Sequence, residues 1–396
     1  AEEFKLQARQ ITFGPRHHFF GYIGHVQNTP WNQSGRYLVA LRTQAQDHLP
    51  RPDEAADIVL LDAHHDYAQR VIDRTHAWNP QQGTMLYWNP AAPESQLIFN
   101  DRDPATGRVF AVLLDLAGPA PRRQREFRFD DVPVGNGGVC QTGGWFAAIN
   151  YGRIARLRAV TGYKEALDPT AAEKHPSHDG VFRVDLTTGR RTLLVSFRQL
   201  AQAIRPRHPE IDEVDLFINH TLVNRTGDRV FFFVRGNYDQ RGPRINVPML
   251  IDSDGTNLQP LGEYLGGHPE WAEDRRLIGS WNKQQVVYDT DTRTITERIG
   301  DASIIPNPEG DVALSPDGTW LVNGYRVQNA NRYVFVRRRD GVAVVSPDFD
   351  ITGWTSGDLR CDPAPCWRRD GRAIAFPAIA SDAEKTRQMF VLQLTP

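Results

Sequence analysis

Asn224–Phe233, NRTGDRVFFF, is a polar tetrapeptide that ends on glycine and runs directly into a strand. Glycine there supplies the positive φ that tight connections between antiparallel strands need. The signature recurs as NQSGRYLVAL (32–41), SPDGTWLVNG (315–324) and RRDGRAIAFP (368–377). Weaker copies are NPAAPESQLIFN (89–100), CQTGGWFAAIN (140–150) and WAEDRRLIGSW (271–281). Seven hairpins at a spacing of roughly 40–60 residues predict radial blades of four strands. Helical periodicity is nearly absent, and FRQLAQAI (197–204) is the best short candidate. The expectation is therefore an all-β chain, a seven-bladed β-propeller formed as a single domain over 1–396. FKLQARQIT (4–12) and QMFVLQL (388–394) would close one blade from the two chain ends. Two packed β-sandwiches are the alternative, but they do not require one hairpin to recur so evenly.

Composition narrows the function. Forty-six Lys and Arg stand against 48 Asp and Glu, a net charge of −2, which gives no overall pull toward nucleic acid or a membrane surface. No apolar run approaches the roughly 20 residues that span a bilayer. The numbering opens on Ala1 rather than Met, which reads as removal of an export signal and predicts a periplasmic or secreted protein. Of the three cysteines, Cys361 and Cys366 in CDPAPC are near enough in sequence to bridge, with small buried thiols as the equal alternative. No Cys/His spacing suggests zinc. No GxSxG elbow supports a serine hydrolase.

Aligning the seven turns makes Trp31, Trp88, Val139, Val223, Trp271, Leu314 and Trp367 equivalent. Three residues earlier stand Asn28, Met85, Asn136, His220, His268, Asp311 and Ala364, near the mouth of the central channel. Strand alternation alone leaves their facing open. His220, His268 and Asp311 nonetheless fall in three consecutive blades and would converge on one side of the mouth. The second strands end at Arg42, Arg102, Tyr151, Arg235, Asn282, Arg326 and Ala378 on that same face, with Arg153 close behind Tyr151. Arginines concentrated on one rim predict an anionic ligand, because guanidinium pairs bidentately with carboxylate or phosphate. The segment Asn150–Gly180 is long for a blade connection and would form a wall or lid. His178 within it reads as a turn residue.

Several stretches carry a resemblance to the seven-bladed propellers of the oligogalacturonate lyase type. They are INHTLVNRTGDRVFFFVRG (218–236), MLIDSDGTNLQPL (249–261), GGHPEWAEDRRLI (266–278), SPDGTWLV (315–322) and RCDPAPCWRRDGRAIAF (360–376) with QMFVLQL. The resemblance implies His268 as the base. It also implies a manganese ion held by histidines of the last two blades. Asp311, Asp362 and Ala364 occupy those places here, a departure from the family's metal site.

The implied chemistry is β-elimination on a uronic acid. A base removes the proton at C5, a cation neutralises the adjacent carboxylate, and an acid protonates the departing 4-oxygen. The expected catalytic set is His268, with His220 as second choice or orienting partner, Arg235 on the carboxylate with Arg102 as a second cation, and Tyr151 as donor to the leaving oxygen. His25, Asn28, Arg102, Arg153, Asp311 and Arg326 are expected to bind the anionic oligo- or polysaccharide. A set of His220, His268 and Asp311 would instead hold a divalent metal ion. The other readings are a non-catalytic propeller that binds an acidic glycan or a protein, and a glycoside hydrolase using Asp311 and Asp362.

Overall fold

The fold comes from a computed structural model, which describes residues 3–22, 28–44, 46–239 and 241–396. Seven antiparallel sheets follow one another along the chain, six of four strands and one of five. The chain is a seven-bladed β-propeller. The closing blade takes its three inner strands from the C-terminal end, and Lys5–Gln10 pairs antiparallel with Arg387–Thr395 as its outermost strand.

The hairpin glycines do what their spacing predicts. Gly227 and Gly318 both sit at φ +76° between the first and second strands of their blades. In blade 5 an aspartate, Asp274, takes the left-handed conformation instead, at φ +54°. Second strands such as Arg229–Gly236 are almost wholly buried between neighbouring blades, which explains their runs of Val and Phe rather than an alternating pattern. Blade 1 is irregular: His17–Phe19 pairs with the second strand, the chain then leaves the sheet, and Trp31 rejoins it opposite Leu38.

The aligned tryptophans bind blade to blade. The Trp88 indole N–H donates to the Pro30 carbonyl at 2.7 Å, that of Trp271 to Leu222 at 2.7 Å, and that of Trp367 to Ala313 at 2.8 Å. Each acceptor is the residue just before the equivalent position of the preceding blade. Burying an indole this way satisfies its one donor and fixes the angle between blades.

The segment after the second strand of blade 3 forms a helix, Tyr151–Leu157, then a 3-10 turn, Ala159–Thr161, and has no strand until Gly180–Asp185. His178 stands in the turn before that strand, half exposed. Phe197–Ile204 is the expected helix, opened by a capping box of Ser196 and Gln199. All three cysteines are buried free thiols, so the CDPAPC pair does not bridge. Burial pushes the Cys361 thiol up to about 11.

Candidate functional site

The inner strands of blades 3, 4 and 5 each break register at a corresponding place: between Asn136 and Gly138, between Asn219 and Leu222, and between Gly266 and Glu270. A bulge turns its extra residue out of the ladder and re-aims its side chain. His220 sits in such a bulge at φ +60°. Met85 and Ala364, its equivalents in blades 2 and 7, are at +55° and +44°. The left-handed turn thus recurs in blades 2, 4 and 7 with a different side chain on it each time, whereas Asn136, His268 and Asp311 at the same step are not left-handed.

His220 and His268 both line a cavity of about 770 Å³ at the channel mouth, together with Tyr22, Arg158, Arg235, Arg360 and Asp362. The two imidazoles lie 6.5 Å apart, edge to face. Nδ1 of His268 is 2.9 Å from Oδ1 of Asp311. It lies off the line of a hydrogen bond, so the contact is an ion pair in character. The other oxygen of Asp311 accepts the Ala364 N–H at 2.9 Å. Asp362 is paired with Arg360 at 2.9 Å.

The two histidines are driven apart in acidity. Burial is the largest influence on His268 and pulls its pKa down, but Asp311 and then Asp362 more than offset it, so the net shift is upward. For His220, burial, Arg235 and His268 all act in one direction and hold its pKa well below the ordinary value. The arrangement is a neutral imidazole beside one that readily holds a proton.

Beside them is a group of cations without acids. The guanidiniums of Arg158, Arg235 and Arg244 surround the Tyr238 ring at 4.7, 5.5 and 4.2 Å. Among the described residues none of the three has a carboxylate partner. Nε of Arg158 is buried without a hydrogen-bond partner, and Arg235 donates only to the Asn246 side chain, at 3.1 Å. Burial lowers the pKa of Arg158 and of Arg235, and each of these two also feels like charge from its neighbours. Like charges held together without counter-charge make a site for an anion.

The other expected residues are placed elsewhere. Tyr151 is buried, stacked on Tyr163, and donates to the Asn136 carbonyl at 2.8 Å, so its hydroxyl does not reach the cavity. Arg102 is buried and donates to the carbonyls of His76, Tyr163 and Lys164; burial lowers it to about 10. Arg153 is likewise buried and donates to the carbonyls of Leu216, Thr170, Glu173 and Lys174. These two arginines pin the long segment and are not free to bind sugar. Asn28 is buried on the Leu86 carbonyl. Arg326 is exposed and donates to the Thr355 carbonyl. Asp311 does not line the cavity and instead faces Nδ1 of His268. His25 lies outside the described residues.

The metal reading does not fit. Among the described residues no three His, Cys, Asp or Glu side chains are grouped to hold an ion. Nδ1 of His268 already faces Asp311, and His220 lies across from it.

Arg158, Arg360 and Tyr22 are among the cavity residues that sequence reasoning missed. Arg158 had a signal, since it belongs to the long segment read as a wall. Tyr22 had none: its hydroxyl donates to the Val312 carbonyl 290 positions away.

No protein-family model and no curated protein matches the chain. Solved structures do. The β-propeller domain of the trilobed protease of Pyrococcus furiosus, described as having an open velcro topology, matches at 10% identity over 95% of each chain with a TM-score of 0.50. TolB from Acinetobacter baumannii matches at 11% identity over 90% of this chain and 80% of that one, with a TM-score of 0.41. The likeness is in fold, and no family model connects the chain to oligogalacturonate lyases in particular.

Proposed function

We propose that the channel-mouth cavity binds a uronic-acid-containing oligo- or polysaccharide and cleaves it by β-elimination. The observation that carries this reading is the adjacency of two unlike imidazoles to guanidiniums without acid partners. Arg235 and Arg158 engage the uronate carboxylate, which draws electron density from C5 and makes its proton removable. His220, neutral at physiological pH, takes that proton. The electron pair forms the C4–C5 double bond as the C4–O bond breaks. The leaving oxygen receives a proton from His268, which the Asp311 pair keeps protonated. The base is thus the second-choice His220 rather than the His268 that the resemblance implies, and His268 takes the donor role expected of Tyr151, because Asp311 stands behind His268 and, among the described residues, no acid is paired with His220.

The hydrolase reading loses support because both oxygens of Asp311 are engaged within the protein. The unpaired guanidiniums would equally serve a non-catalytic propeller that holds an acidic glycan or an acidic protein surface, and one experiment separates these outcomes. Uronic-acid polysaccharides and oligosaccharides are incubated with the protein, and the ultraviolet absorbance of the new C4–C5 double bond is followed. The expected result is a rise that falls by about 10²–10⁴ in His220→Ala. Binding by calorimetry with no rise on any acidic glycan would leave the non-catalytic reading.

A further inference from the structure

Phe20, Gly21 and Tyr22, which follow the first strand of blade 1, are tightly seated. Gly21 is at φ +104°, and a Cβ there would meet the Gln82 carbonyl carbon at 2.5 Å. Gly83 presses back on the Phe20 carbonyl in the same way, also at 2.5 Å. Tyr22 N–H donates to Gln81 at 2.9 Å. This base is built for one course of the backbone, since no side chain fits at either glycine. It sends the Tyr22 ring across the channel to the far side. There its hydroxyl donates to the Val312 carbonyl at 2.8 Å and accepts the Val312 N–H at 3.2 Å. The ring meets His268 edge-on, with centroids 5.4 Å apart.

With both hydrogen-bonding directions of its hydroxyl committed to one main-chain residue, Tyr22 is poorly placed to exchange a proton with a ligand. Its ring is nevertheless in contact with one of the two imidazoles, and it forms part of the cavity wall. We propose that Tyr22 is a positioning residue: a strap from blade 1 that closes the channel behind the histidine pair and fixes the His268 ring beside Asp311. The proposal rests on the lyase reading only for its kinetic consequence, and its structural half is tested without any turnover.

The experiment compares the full-length protein with Tyr22→Ala and Tyr22→Phe. Phe keeps the ring and its edge contact if Ala compromises folding. Carbethoxylation of each histidine, followed by mass spectrometry, reads the access of water and reagent to His220 and His268. Tyr22→Ala is expected to raise the rate at both by about tenfold, with the surface residue His178 unchanged as the internal control, and Tyr22→Phe to stay near the parent. On a glycan that the parent cleaves, Tyr22→Ala is expected to lower kcat by about tenfold to a hundredfold while KM moves little, and Phe to restore it. Histidine rates unchanged in Tyr22→Ala overturn the strap whatever the catalytic result. Faster histidines with kcat intact, or a change in KM alone, overturn the positioning role. Tyr22→Phe falling to the Ala level overturns the assignment to the ring. Absence of turnover in the parent removes the lyase reading and leaves the labelling test in force.

Discussion

Arg102 and Arg235 occupy corresponding ends of second strands in blades 2 and 4, yet the structure uses them oppositely. Arg102 is sealed among main-chain carbonyls beneath the long segment. Arg235 lies over Phe233 at 4.7 Å, faces the cavity, and meets one neutral amide. Arg42, at the same step of blade 1, is a third case: it shares Asp57 with Arg16 and Arg74. A rim position fixes where a cation emerges. What it meets there depends on loops that the repeat does not control.

The largest effect is expected where a guanidinium is fully committed. Arg153→Ala removes the donors of four main-chain carbonyls in a region sealed from water, and each orphaned acceptor then bears its desolvation cost. Denaturant unfolding should show a loss of about 3–5 kcal/mol. A loss below about 1 kcal/mol would mean that water replaces the side chain and that the segment is not pinned by it.

Arg235→Ala sharpens the contrast from the other side. Stability should change by no more than about 1 kcal/mol, because no buried acid is left unpaired. Affinity for an acidic saccharide should fall by about 2–4 kcal/mol, read by calorimetry. Destabilisation without loss of binding would reverse the two arginines' roles.

These two residues also mark how far the sequence can be read. The turns locate the inner strands of blades 2 to 7 because the glycine requirement and the buried second strands are local facts, and aligning them places His220, Met85 and Ala364, all left-handed, at one step; the inner strand of blade 1 lies farther from its turn. The rim arginines were placed correctly as strand ends. Their partners were not legible, since the carbonyls that bind Arg102 and Arg153 come from an irregular segment whose path no periodicity encodes. The bulges were illegible for a similar reason: a register break leaves no mark in a strand's composition. Tyr22 reaches His268 across the channel, a contact that only closure of the ring creates.

The comparison extends to acids. Asp57 has three guanidiniums within reach, whereas Glu270, on the inner strand of blade 5, is buried and, among the described residues, accepts only the Leu314 N–H. Burial raises Glu270 from 4.5 to about 8, with the Leu314 amide and Arg225 offsetting part of the shift. The folded state therefore binds this proton more tightly than the unfolded chain does. Its contribution is fully present below pH 4.5 and is lost as pH rises through about 8. Glu270→Gln keeps an acceptor for Leu314 and removes the ionisation. It should be more stable than the parent by about 1–3 kcal/mol at neutral pH, with the gap closing toward pH 4.5. A gap independent of pH would show that Glu270 does not ionise in this range.

The smallest effect concerns the bulge itself. A β-carbon in the left-handed region costs about 1–2 kcal/mol, and glycine relieves that cost while losing more entropy on folding. His220→Gly should therefore fold with stability equal to the parent or higher by less than about 1 kcal/mol, and Ala364→Gly should do the same. Under the lyase reading the two variants then diverge, with His220→Gly inactive and Ala364→Gly active. Thermal unfolding and turnover measured on the same preparations decide it. If His220→Gly is clearly destabilised and Ala364→Gly is not, the imidazole is supporting the channel wall through its contact with Phe233, and the base must be sought in His268. If both keep their stability and only one loses turnover, then one strained backbone position serves the fold in blade 7 and the chemistry in blade 4.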